Sequence, residues 1–296
     1  MKTFALAFFV VFLFASPAFG DAVGEGLSNM ATTELKAGTR HMIRAGIDTD
    51  DAIRMTRAML ESRFRQEHAL KAQGIVVRAH KEGLPVEPIM NKAHEGIAKR
   101  VQHKNIIQAM EKVMSRYAFA YQQAGRLTQG EAQKKRIMEQ VAECVTANIT
   151  DFDVDRLVYQ LQHRSRKIPK DEASGLAIET FRVAKDMARL HVHSKKATDL
   201  ALKALKHHYG IQKMARMRQS FMKHARNNSP NTVAEGYLEA ITKGKRLESL
   251  DFSHGGASSS VGSGRGSERT GGGSSPGGGG SRSSGRGSGG SRGGRR

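Results

Sequence analysis

The chain has 296 residues, with 48 Lys and Arg against 28 Asp and Glu, for a formal net charge of +20. Its one cysteine, Cys144, excludes an internal disulfide framework and a Cys-x-x-Cys-His haem attachment. Beyond the first 20 residues no stretch approaches the ~20 apolar residues that span a bilayer, so the sequence predicts a chain that is not an integral membrane protein.

The amino terminus reads as an export signal. Lys2 supplies a basic start, Phe4 to Phe14 is an unbroken apolar run, and Ala18 and Gly20 place small residues ahead of Asp21. That order of charge, apolar core and small-residue site predicts a signal peptide over 1–20 and a periplasmic or extracellular bacterial location. With Cys144 far from the cleavage site, no lipid anchor is expected. The remainder divides into a lead segment (21–45), a helical domain (46–250) and a tail (251–296).

Helix signals recur through the domain. Asp48-Thr49-Asp50-Asp51 offers cap residues and first-turn acid, followed by Ile53, Thr56, Met59, Leu60 and Phe64 on one face. Pro85 and Pro88 mark a second start, ahead of Ile89, Ala93, Ile97 and Val101. Ile106, Met110, Val113 and Tyr117 form the next stripe. Thr128 with Glu131 reads as a capping box before Met138, Val141 and Val145. Asp151 to Asp155 opens a helix carrying Leu157, Val158 and Leu161, and Pro169 opens one carrying Leu176, Phe181, Ala184, Met187 and Leu190. Leu200, Ala204 and Leu205 follow, then Ile211, Met214, Met217 and Phe221. A last capping box, Thr232 with Glu235, precedes Leu238 and Ile241. The spacing predicts nine or ten helices and no strands.

The breaks look alike. Gly46-Ile47-Asp48, Gly83-Leu84-Pro85, Gly125-Arg126-Leu127-Thr128 and Ile168-Pro169-Lys170 return about every 40 residues, with two helical patterns between them. A shift of about 104 residues also sets Lys92–Val101 against Lys196–Leu205, and Tyr117 against Phe221. Two all-α readings stay open: an α-solenoid-like array of helical hairpins of the HEAT or armadillo kind, or an irregular helical bundle in which helix-loop-helix spacing imitates a repeat. From Ser253 onward about two thirds of the residues are Gly or Ser, a composition that cannot bury enough surface to order itself and predicts a disordered tail.

Gly83-Leu84-Pro85-Val86-Glu87-Pro88-Ile89, followed by Asn91-Lys92-Ala93-His94-Glu95-Gly96-Ile97-Ala98-Lys99, resembles a segment of uncharacterised exported helical proteins of bacteria. The resemblance covers the region from 40 to 165. It implies the compartment and the helical fold, and it carries no activity.

No catalytic constellation stands out. There is no nucleophile elbow and no phosphate-binding glycine loop before Lys-Ser or Lys-Thr. Asp151, Asp153 and Asp155 alternate as in a calcium loop, but Gln162 stands where the bidentate Glu belongs. The histidines are densest at His191-Val192-His193 and His207-His208, without the helical i, i+4 ligand pair, so neither metal nor cofactor is expected. An enzyme without a linear motif would need His191, His193 and His207 to converge on a carboxylate. Asn148-Ile149-Thr150 fits a glycosylation sequon that a bacterial exported protein leaves unused.

Charge points to a partner class. The tail carries seven arginines against Asp251 and Glu268, and removing the tail and Lys2 leaves the helical region at about +14. Long-range attraction to polyanions follows. The candidate polyanion-binding residues are Lys92, Lys99 and Arg100 in the domain, with Arg265, Arg269, Arg282, Arg286, Arg292, Arg295 and Arg296 in the tail. Glu95 lies between Lys92 and Lys99 at i+3 and i+4, so a solvated ion-paired face is the competing reading of that cluster. The expected function is an exported, non-enzymatic binding or scaffold protein. It would engage an envelope protein or an anionic polymer such as lipopolysaccharide, a wall polymer or an anionic lipid surface. The alternatives are an exported nucleic-acid-binding protein, weakened by the tail's lack of stacking aromatics, and an enzyme without a linear motif.

Overall fold

A computed structural model describes residues 22–27, 31–245, 247, 250 and 252. The segment 1–20 read as a signal peptide, and the tail from 253 onward with its seven arginines, lie outside the described residues.

The described chain is all helical, with twelve helices and no strand. They are α1 (Ala22–Gly26), α2 (Thr33–Arg44), α3 (Thr49–Glu61), α4 (Gln66–Lys81), α5 (Glu87–Ala98) and α6 (His103–Gly125), then α7 (Glu131–Thr146), α8 (Asp151–Ser165), α9 (Lys170–Arg189), α10 (Ser194–Lys206), α11 (Ile211–His224) and α12 (Pro230–Thr242). The segment 21–45, read from the sequence only as a lead, contains α1 and α2. Thr32 caps α2 by accepting from the amide of Leu35, and α2 packs on α3 and α4. Helix α4 also lay outside the nine stripes named from the sequence.

Every substantial helix-to-helix contact joins helices one or two apart in the chain. One layer runs α2, α4, α6, α7, α9, α11. The other holds α3 and α5, then α8, α10 and α12. A closed bundle would bring early and late helices together. This arrangement is a quasi-one-dimensional array. The 104-residue similarity sets α5 and α6 against α10 and α11 in the chain, but the packing differs: α5 packs on α6, whereas α10 and α11 pack chiefly on other helices.

Six of the connections are the same four-residue turn: 45–48, 62–65, 99–102, 147–150, 190–193 and 207–210. The second residue of each adopts a left-handed backbone, at Gly46, Arg63, Arg100, Asn148, His191 and His208. The third is apolar: Ile47, Phe64, Val101, Ile149, Val192 and Tyr209. Its amide donates back five residues, as from Phe64 to the Met59 carbonyl at 2.9 Å and from Ile149 to that of Cys144 at 3.0 Å. This bond closes the last orphan carbonyls of the helix and turns the apolar residue into the core at five of the six turns, Val101 alone staying exposed. The fourth residue is the N-cap of the next helix.

The four breaks read as one kind of punctuation are therefore two kinds. Gly46 belongs to this turn, and Gly83 is left-handed in a connection one residue longer. The breaks after α6 and α8 instead end right-handed at Arg126 and Arg166. Two capping boxes also move. Helix α7 starts after Gly130, whose amide donates to Thr128 Oγ1, and α12 starts after Ser229 with Pro230 in its first turn. Proline fixes a helical φ at that place, and so the helix begins before Thr232 is reached.

Two cores meet within α6. Ile106, Ile107, Met110, Val113 and Met114 belong to the core of the first half, and Ala120 and Ala124 to that of the second. Tyr117 and Tyr121 touch both. Buried polar groups tie layers together. In the first half the Gln73 amide donates to Thr39 Oγ1 (3.1 Å), Thr56 Oγ1 (3.0 Å) and the Leu35 carbonyl (3.3 Å), joining α2, α3 and α4. In the second, Cys144 Sγ donates to the Phe181 carbonyl at 3.2 Å.

Candidate anion-binding site

Ion pairing divides the basic surface into neutralised and free parts. On α5, Lys92 and Lys99 both reach Glu95, at 2.5 and 2.6 Å. Their hydrogen bonds pull the Glu95 carboxyl down to a pKa of about 2. Of the two readings of this cluster, the ion-paired helix face is the one formed. Arg100 is exposed at a left-handed turn position (φ 53°) and lines a separate shallow pocket with Phe64 and His103. Lys92, Lys99 and Arg100 do not form one cationic surface.

In the second half of the array carboxylates bridge helices. Arg156 on α8 contacts Asp153 at 3.0 Å and Asp199 on α10 at 2.6 Å. Lys185 on α9 reaches Glu143 on α7 at 2.6 Å, and Arg218 on α11 reaches Glu179 at 2.7 Å and Asp186 at 2.9 Å on α9. Asp153 is buried and also accepts from Ser194 Oγ at 2.5 Å. Its carboxylate is taken up at the start of α8 and across to α10: Oδ1 accepts from Arg156, and Oδ2 accepts from the Thr150 and Ser194 hydroxyls.

Cations without a carboxylate partner among the described residues occur along the array, as at Arg164, Arg166, Lys167 and Lys170, but the stretch poorest in acid lies toward its carboxy-terminal end. Residues 191–230 hold nine Lys and Arg against the single acid Asp199. Lys195, Lys196 and Arg218 are paired. Lys203, Lys206, Lys213, Arg216, Lys223 and Arg226 have no carboxylate partner among the described residues.

Part of this set surrounds a cleft of about 390 Å³, formed by the end of α10, one face of α11, the end of α12 and the segment that follows it. Lys213 and Arg216 stand one turn apart on α11, and Lys245 approaches from the segment after α12, with His207 and Gln212 at the margin. Lys213 Nζ lies 3.9 Å from the centre of the Tyr209 ring, which orients a cation without neutralising it. The floor is Tyr209, Met217, Ile241 and Leu247, all buried. Leu247 is held by the returning segment, whose Phe252 packs on His224 and Tyr237 with ring centres at 5.1 and 6.2 Å. No acidic residue lines the cleft among the described residues.

The sequence reasoning named His207 as part of a histidine cluster and Met217 and Ile241 as parts of helix stripes, but none of the cleft's Lys or Arg residues. A window count of charge would have found Lys213 and Arg216, since no other stretch of 40 residues in the domain is so short of acid, but not Lys245, which lies beyond it.

The histidines do not converge. His193 caps the start of α10 and His207 its end; thirteen residues at ~1.5 Å rise put them about 20 Å apart. His191 occupies the left-handed position of the preceding turn. Among the described residues no group of three His, Cys, Asp or Glu can hold a metal ion. Burial pushes the Cys144 thiol up to about 12, which removes it as a nucleophile.

A second surface lies on α8. Phe152 and Tyr159 are 72% and 59% exposed on one helix face. The Arg156 guanidinium sits 5.9 Å from the Phe152 ring centre, and His163 meets the Tyr159 ring edge-on at 4.5 Å.

Set against known protein families, curated proteins and solved structures, the chain gives no match. Fold and site together define the class: an all-helical array with a cationic cleft at its carboxy-terminal end.

Proposed function

We propose that the protein is an exported, non-enzymatic binding scaffold of the cell envelope, and that its carboxy-terminal cleft engages the acidic groups of an anionic polymer or protein. The observation that carries this reading is the cleft lined by Lys213, Arg216 and Lys245 with no acid in its lining among the described residues, beside a stretch (191–230) in which six of nine cations have no carboxylate partner among the described residues. Unpaired cations around a concavity raise the local concentration of anions and hold them without a desolvated counter-charge to displace. The tail arginines, Arg265 to Arg296, extend the same attraction from a Gly/Ser-rich chain.

The test is binding of the full mature chain to a sulfated polymer such as heparin across a salt series. Each cation that meets an anionic group contributes roughly one unit to the slope of log affinity against log salt. Lys213→Gln/Arg216→Gln should lower that slope by about two. Lys92→Gln/Lys99→Gln removes the same formal charge from a neutralised cluster and should lower it far less. Equal losses in the two variants would mean that net charge alone binds, and the site assignment would fall.

One observation favours a nucleic-acid ligand instead: the exposed Phe152 and Tyr159 beside Arg156 on α8, since bases stack on such rings. That reading requires single-stranded DNA binding to weaken in Phe152→Ala/Tyr159→Ala more than in the cleft variant.

A further inference from the structure

We infer that the cleft takes a small amphiphilic anion, a single alkyl or acyl chain ending in a phosphate or similar head; this rests on the cleft being the anion-binding site of the proposed function. An acidic group held by charge alone needs no apolar surface beneath the cations that hold it. Here the cations stand around a concavity whose base is hydrocarbon and aromatic: Tyr209, Met217, Ile241 and Leu247. The volume, about 390 Å³, falls in the range of small-molecule sites, which are apolar below with a few convergent polar groups above.

The division of labour follows from position. Lys213 and Arg216 rise from the same face of α11, and Lys245 faces them from the segment after α12, so three charges approach one point from two sides. Arginine offers a planar fork and lysine a movable point charge, a pairing suited to a head with several oxygens. The chain end would lie between Met217, whose thioether adapts to irregular shapes, and Leu247. Leu247 forms this wall because the segment after α12 folds back, with Phe252 seated over Gly236. A Cβ at Gly236 would stand 2.6 Å from the Phe252 ring, so that position leaves room for the ring to close down.

The experiment is calorimetric titration of the full mature chain with octyl, decyl and dodecyl phosphate below their micelle concentrations. Inorganic phosphate and the uncharged octyl glucoside serve as comparisons. Burial of one methylene contributes about 0.8 kcal/mol. Affinity should therefore rise by up to about fifteenfold per two carbons and level off once the cleft is full. Inorganic phosphate should bind at least tenfold more weakly than decyl phosphate, and octyl glucoside should not displace the alkyl phosphates. Lys213→Gln/Arg216→Gln should lose tenfold or more in decyl phosphate affinity with unchanged circular dichroism, and Lys245→Gln a smaller part.

If inorganic phosphate and decyl phosphate bind equally and both depend on Lys213 and Arg216, the cleft reads charge alone; the present inference is overturned and the anion-binding function stands. If the gain with chain length survives Lys213→Gln/Arg216→Gln, the alkyl chain is adsorbing elsewhere and the inference is likewise overturned. If neither alkyl phosphates nor heparin depend on these residues, both readings fall. Phosphatidylglycerol vesicles separate the sources of such a head. Vesicle binding lost in the double variant identifies a bilayer lipid, and vesicle binding unchanged while decyl phosphate binding is lost identifies a free amphiphile; each agrees with the inference.

Discussion

Replacing Gly38 by alanine should destabilise the protein, although the general rule for helices says the opposite. Gly38 lies inside α2, where glycine to alanine ordinarily gains about 1 kcal/mol. A Cβ at this place would run into Oε1 of Gln73, which lies against the glycine from α4. Gln73 cannot retreat cheaply, because its amide nitrogen is bonded to Leu35, Thr39 and Thr56 in a buried setting. Displacing it orphans a buried amide at about 1–3 kcal/mol and overpacks the α2–α4 contact at roughly 1–3 kcal/mol. Less the helix gain, the net loss is about 3 kcal/mol. For a domain of this size that lowers the thermal midpoint by roughly 6–12 °C. The decisive comparison is a double-mutant cycle followed by circular dichroism. In a Gln73→Ala background the obstruction is gone, and Gly38→Ala should stabilise by about 1 kcal/mol. A rise in midpoint in the native background, or equal effects in both backgrounds, would refute the packing argument.

Three further outcomes follow from the turns and the titrating groups. Arg63→Gly and Arg100→Gly each place glycine at a left-handed position (φ 55° and 53°) and should each raise stability by about 0.5–1 kcal/mol, additively, in chemical denaturation. Burial, with Arg54 nearby, holds His94 below its ordinary value, and burial with Lys223 does the same for His224. The unfolded chain therefore binds more protons below about pH 6.5; stability should be fully present above that pH and fall as pH drops, and His94→Gln should flatten the fall in a thermal midpoint series. Cys144, buried and with its thiol pushed up to about 12, should resist alkylation at pH 8 in the native protein and react at the rate of a free thiol in denaturant.

The sequence revealed the all-helical class and most helix stripes because those rest on local periodicity. Ile53, Thr56 and Met59 on α3, or Ile211, Met214, Met217 and Phe221 on α11, need no tertiary context to be read. The turns were half legible. Glycine flags a left-handed position, so Gly46 and Gly83 stood out, whereas Arg63, Arg100, Asn148, His191 and His208 adopt the same backbone without that flag. The readable signal is the residue after them, apolar and isolated just before a helix start. Helix α4 escaped notice because its larger buried residues, Ile75, Val76 and Val77, are consecutive and make no spaced stripe, and the rest of its buried set is small Ala69, Ala72 and Ala79 with Gln73, a polar residue whose use appears only when Thr39 and Thr56 are brought beside it. The cleft was legible as charge but not as a place. Lys213 and Arg216 share a helix face in any helical reading, yet Lys245 and Leu247 join them only through the return of the chain after α12.

The location of the free charge has a consequence for stability. In an array each repeat is held by its neighbours, so the last one has packing on one side only. The carboxylates of the second half are used between helices: Glu143, Glu179 and Asp186 around α9, and Asp153 and Asp199 between α8 and α10. After α10 the described acids are Glu235 and Glu239, each already beside a lysine. Like charge therefore accumulates where packing is weakest, and its self-repulsion destabilises that end. An anion seated among Lys213, Arg216 and Lys245 relieves the repulsion and stabilises the folded end in proportion to the logarithm of its concentration over its dissociation constant. If the cleft binds an anion as proposed, the end of the array is the part that such a ligand would stabilise most.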